Sequence, residues 1–158
     1  LASGEAFGQR QGVPPKDMLT WTASPILKAA FEAHLPDDEL GNVMMSLGMA
    51  LAAASSLDRA ERMFSAAAEK LPVTQLGECI AMQAQIMART GRGSAAADLL
   101  RGHAAKYGDS LEVQLALARI LAMTGQKQDA AREYEAIQKL YPLDSKQQAM
   151  IQRELGAL

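Results

Sequence analysis

Few residues in this chain could do chemistry. Two histidines occur, His34 and His103, far apart in sequence. His34 lies near Glu32, Asp37 and Asp38, a set of donors that a metal could use. The competing reading is a helix C-terminus bearing a histidine, where positive charge is favoured, followed by an acidic helix start. We favour the second. His103 has Arg101 and Lys106 nearby and no carboxylate in its turn, which suits packing at a helix crossing. No His-Glu-x-x-His is present. Cys79 follows Glu78 and lacks the neighbouring cation or histidine that lowers a catalytic thiol's pKa. Gly91-Arg92-Gly93-Ser94 could offer backbone N–H groups to a phosphate. A helix precedes it, where nucleotide-binding fingerprints need a strand, and no Lys-Ser or Lys-Thr pair follows. The serines show no nucleophile elbow. The residues point away from an enzyme, and no cofactor or metal is expected.

Composition narrows the classes further. The chain is 49% hydrophobic and 22% charged, too apolar for disorder. Its net charge of −2 and pI of about 5.7 argue against a nucleic-acid partner, which selects a basic stripe. No apolar run approaches the roughly 20 residues of a membrane span. The single cysteine permits no intrachain disulfide and leaves the compartment open. Because the sequence opens on Leu1, we expect a mature or excised piece of a longer chain.

The elements that would position these residues are helices. Residues 1–14 carry Gly4, Gly8, Gly12 and Pro14 and read as a flexible tail or linker. Pro15 to Trp21 suggests a short helix, with Trp21 as a core plug. Ser24-Pro25 marks a cap and a first helical position for a helix holding Ile26, Leu27, Ala30 and Phe31 and ending at Leu35-Pro36. Between Gly41 and Pro72, Met44, Leu47, Gly48 and Leu51 share one helical face, and Ala60, Phe64, Ala67 and Leu71 share another. Ser55, Ser56 and Asp58 separate these halves and can cap the second, which Pro72 stops. Asp37 and Asp38 open the first helix of this hairpin. Thr74, then Asp109-Ser110-Leu111-Glu112 as a capping box, then Asp144 with Gln147, mark later helix starts. The last helix holds Met150, Ile151 and Leu155 on one side and polar residues on the others.

A period runs through the second half. Gly91 and Gly125 stand 34 residues apart, as do Ala96 and Ala130, Leu100 and Tyr134, and Tyr107 and Tyr141. Two helices per period of this length indicate a solenoid. At these residues the chain resembles the tetratricopeptide repeat (TPR) family. The first unit, about 41–76, fills the family's positions with Met44, Leu47, Gly48, Leu51, Ala60, Phe64, Ala67 and Pro72. The second, about 77–110, supplies Ile80, Ala84, Met87, Ala96 and Leu100, and departs at Gln83, His103 and Gly108. The third, about 111–144, supplies Leu117, Ala118, Leu121, Ala130, Tyr134 and Pro142, and departs at Gln114 and Ile137.

The resemblance implies an all-α fold over residues 15–158. It would be an α-solenoid of about three helix-turn-helix units with an extra N-terminal helix and a C-terminal capping helix at about 145–157. It also implies a protein-binding groove along the first helix of each unit. Carried over position by position, the groove comprises Asn42, Met45 and Met49 in the first unit. The second gives Glu78, Ala81, Met82, Gln85 and Arg89, and the third Glu112, Leu115, Arg119 and Met123. The lysine–asparagine clamp that some TPR domains use for a C-terminal carboxylate is not matched. Methionine is unbranched and adaptable, so such a groove suits an apolar helix or extended segment of another protein. The same positions could instead be covered by the N-terminal helix or by a second copy in a homo-oligomer. The expected function is a non-catalytic scaffold or adaptor, by analogy of bacterial secretion, pilus or envelope assembly. The alternatives are a chaperone for an apolar segment of a secreted client, or an accessory domain of a larger enzyme such as a membrane-associated protease.

Overall fold

A computed structural model describes residues 25–158. They are helical, with no strand among them. The helices are α1 (Pro25–Glu32), α2 (Asp37–Ala53), α3 (Leu57–Ala68), α4 (Val73–Arg89), α5 (Gly93–Tyr107), α6 (Leu111–Met123), α7 (Lys127–Leu140) and α8 (Ser145–Gly156). The tail expected at 1–14, the helix from Pro15 to Trp21 and the Ser24 cap lie outside the described residues. The all-α expectation holds for those described. They fall into two compact units that meet in sequence at Pro72 and Val73. In the first, α1 and α3 both pack on α2. In the second, α4 packs on α5 and α6, α5 on α6, α6 on α7, and α7 on α8.

Three helix pairs, α2–α3, α4–α5 and α6–α7, are joined by three-residue turns of one design. Their middle residues, Ser55, Gly91 and Gly125, have φ of 61°, 83° and 80°. A left-handed residue lets the chain fold back on the end of its own helix, so two orphan carbonyls find donors. Ser55 N donates to Ala52 O (3.1 Å) and Ser56 N to Leu51 O (2.9 Å). Gly91 N and Arg92 N repeat this on Ala88 O and Met87 O (3.1 and 2.9 Å), and Gly125 N and Gln126 N on Ala122 O and Leu121 O (3.2 and 2.9 Å). The residue after each left-handed one then starts the next helix. The carbonyls of Ser56, Arg92 and Gln126 accept from Ala60, Ala96 and Ala130.

Threonine reinforces two of the turns. Thr90 Oγ1 donates back to Ile86 O and Met87 O, and Thr124 Oγ1 to Ile120 O and Leu121 O. Arg92 and Gln126 each donate to the threonine two residues before them.

Small residues let the paired helices approach. Ala60, Ala96 and Ala130 are fully buried, as is each large partner four residues on: Phe64, Leu100 and Tyr134. A Cβ on Gly48 would stand 3.0 Å from the Phe64 ring, and one on Gly41 2.9 Å from the Leu71 side chain. A Cβ on Gly93 would collide with Thr124 Cγ2.

Several helix ends differ from expectation. Helix α1 stops at Glu32, before Leu35, because His34 takes a left-handed φ of 54°. Ser56 precedes α3 but makes no side-chain cap, since its ψ of 64° is not the extended geometry that aims a serine at the first turn. Helix α3 ends at Ala68, well before Pro72, in tight bonds from Glu69 N to Ala66 O and Lys70 N to Ala67 O. Thr74 lies inside the first turn of α4, which begins at Val73. The capping box predicted at Asp109 and Glu112 is replaced by Ser110, whose Oγ accepts from Val113 N (3.3 Å). With Val113 at the third position, no carboxylate can return the bond. The Asp144–Gln147 box forms as expected, at 2.8 and 3.0 Å.

The turn geometry predicts an asymmetric mutational response. Nothing lies within 4 Å of a Cβ added at Gly91 or Gly125, so alanine there isolates the left-handed strain. Each change should cost about 1 kcal/mol, and Ser55→Gly should stabilise by about 0.5–1 kcal/mol. Urea denaturation of the three variants checks both signs.

Candidate protein-binding surface

In the first unit the expected groove residues lie on α2 at Asn42, Met45 and Met49, one helical stripe. Asn42 is exposed and Met49 is 43% exposed. Met45 is buried at 9% exposure. Around Asn42, the side chains of Val43, Ser46, Leu47 and Ala50 line an apolar depression of about 350 Å³. Ser46 Oγ is spent on Asn42 O (3.0 Å), which leaves the Asn42 amide as the polar group facing out along this stretch. Past Glu39 no residue of α2 is charged. Asp37, at its start, pairs with Lys70 at 3.0 Å. Helix α3, by contrast, exposes Asp58, Arg59 and Arg62.

In the second unit the candidates lie on α4 and α6, which pack together. Glu78, Gln85 and Arg89 are exposed and Met82 is half-buried. Ala81 is buried at 5% exposure. On α6, Glu112 is exposed, Leu115 half-buried and Met123 60% exposed.

Arg119 was assigned to the groove, but its guanidinium is already engaged. Its Nη2 donates to Glu154 Oε1 (2.6 Å) and its Nε reaches both carboxylate oxygens (3.2 and 3.0 Å). The Tyr134 hydroxyl donates to Glu154 Oε2 (2.8 Å). Glu154 thus ties α8 to α6 and α7 at once. Burial works to raise its carboxyl, but the bonds from Arg119 and Tyr134 and the charges of Arg119 and Arg153 outweigh this and hold it below the usual range. Tyr134 moves the other way, pushed up by burial and by the carboxylate it serves. Sequence reading placed Glu154 on a polar face and Tyr134 in a core position. No local pattern links them to Arg119, which is 35 residues from Glu154.

The remaining reactive side chains have structural surroundings. Cys79 is fully buried, and burial followed by the charge of Glu78 pushes its thiol up to about 12. It is therefore a protonated packing residue at neutral pH. His34 is exposed, with Nδ1 2.8 Å from Glu32 O. Among the described residues no three His, Cys, Asp or Glu side chains converge as a metal site, and this includes Glu32, His34, Asp37 and Asp38. His103 stacks at 5.0 Å from the Tyr107 ring, and burial lowers its pKa. Lys106 lies over the same ring at 4.9 Å. The loop expected to be a poor phosphate site spends Arg92 on Thr90. Gln114, a departure from the repeat pattern, is buried where Met44 and Ile80 stand in the other pairs, and its Oε1 has no hydrogen-bond partner. No helix among the described residues is long and apolar enough to cross a membrane. Comparison of the chain with family models, curated proteins and solved structures gave no match.

The sign of the Glu154 shift sets a pH dependence for α8. A carboxyl lowered in the folded state adds stability that is complete above the unfolded value of about 4.3 and disappears as pH falls through the folded value. Amide protection of α8 should therefore be flat from pH 7 to about 5 and fall below pH 4. Glu154→Gln should flatten this dependence. Hydrogen-exchange protection factors across that range read it out.

Proposed function

We propose that the chain is a non-catalytic protein-interaction scaffold of TPR type. In this reading it is an α-solenoid in which α2–α3, α4–α5 and α6–α7 are the repeats and α8 is the cap. The observation that carries the reading is repetition. Three helix pairs reuse the same left-handed turn, the same buried alanine after it and the same large residue four positions on. A chain that repeats one hairpin spends its sequence on building surface. The uncharged exposed stripe of α2, with its apolar depression, supports an apolar helix or extended segment of another protein as the partner. The α4 and α6 surface adds Glu78, Arg89 and Glu112, charges that would set orientation.

Panning a peptide library on the immobilised chain tests this. It should enrich apolar segments whose binding falls at least about tenfold in Met49→Glu. The melting curve of that variant should be unchanged, because an exposed charge keeps its water until a partner removes it. Met45→Glu, at a buried site, should instead unfold the chain by several kcal/mol. No enrichment, or enrichment indifferent to Met49→Glu, would place the partner elsewhere or remove the scaffold reading.

A further inference from the structure

The bond network at Glu154 has a further use. Helix α8 has a small buried face: Ile151 is its one buried residue, with Gln147, Met150 and Leu155 half-buried, whereas α6 buries seven. It is also held by the Glu154 carboxylate on Arg119 and Tyr134, with Met150 Sδ 3.3 Å from Arg119 Nη2. A helix with so small a buried face opens at lower free energy than the helices beneath it. The groups it would leave behind are fixed. Tyr134 is 2% exposed and Arg119 half-buried, so a guanidinium fork and a phenol hydroxyl would stand ready for a carboxylate. Leaving them empty is costly, which favours an occupant of the same chemistry.

We propose that α8 is a releasable strap covering a receptor for a carboxylate-bearing amphipathic helix. The receptor consists of Arg119 of α6 and Tyr134 of α7. The occupant is a partner protein's helix with two adjacent apolar residues followed three and four positions on by Glu, the spacing of Met150, Ile151 and Glu154. This rests on the bonds of Glu154 and stands apart from the repeat reading. It also names a different surface from the α2 stripe.

The probe is a fluorescent synthetic peptide of residues 143–158, titrated by anisotropy into the full chain. The Glu154→Gln chain, its own strap loosened and its receptor intact, should bind the peptide about tenfold tighter than the unmodified chain. A peptide carrying Gln in place of Glu154 should bind neither. Ile151→Ala in the chain, which loosens α8 without touching Arg119 or Tyr134, should give the same gain, and so keeps the test decisive if Glu154→Gln unfolds. A dimer of the unmodified chain inhibited by the peptide would be the same exchange between two copies. Equal affinity for the loosened and unmodified chains, or full binding of the Gln peptide, would overturn the proposal.

Discussion

Each helix pair depends on one backbone constraint. To reverse direction within three residues, the chain must place one residue at positive φ, and only then do the exposed carbonyls of the finished helix find donors. Gly91 and Gly125 meet this without strain. Ser55 meets it at a cost, with φ of 61°. The turn fixes how the second helix of a pair returns across the first. It therefore fixes which residues meet at the crossing, and the small residues there follow from that geometry. Gly48 lies against Phe64 because no Cβ fits between them.

The same constraint divides the residues into those that are spent on structure and those that are left over. Thr90, Thr124, Arg92 and Gln126 are polar, yet their bonds serve the turns. Cys79 is locked in the core. What remains outward on α2 is a stripe without charge, and on α4 and α6 a mixed surface. Arg119, which was assigned to that surface, is bonded to Glu154 of α8. The proposed scaffold thus offers less open surface than a repeat pattern alone implies, and part of it is covered from within.

Much of the helical architecture was legible because its determinants are local and periodic. The Gly91–Gly125 and Ala96–Ala130 intervals mark two turns and two crossings directly, and the structure puts both glycines at positive φ and both alanines in the core. The first turn was read at Ser55 and Ser56, but not its conformation, since serine does not announce a left-handed residue. Ser56 sits at the helix start as read but its backbone does not aim the hydroxyl, and Thr74 falls inside a helix that begins at Val73. The candidate surface was less legible. Position within a repeat gives direction from the helix, but not what lies over it: Met45 and Ala81 are buried, while Met49 and Met123 are exposed. The Glu154–Arg119 bond joins helices through side chains far apart in sequence, and no single-sequence pattern encodes such a pair. Gln114, with its unpaired Oε1, marks a site where an apolar residue would satisfy the core better, and we find no structural compensation for it.

In the proposed scaffold the helix pairs would be repeats of one stacking unit. A solenoid tolerates an added unit, because each pair contacts only its neighbours. Duplicating residues 77–110 in tandem and measuring guanidinium unfolding tests this most directly. A solenoid would give a longer chain that unfolds cooperatively, with a larger denaturant slope and a midpoint no lower than that of the parent. Loss of helicity or of cooperative unfolding in the duplicated chain would contradict it, and would mean that the helix pairs close around one another in a way that admits no insertion.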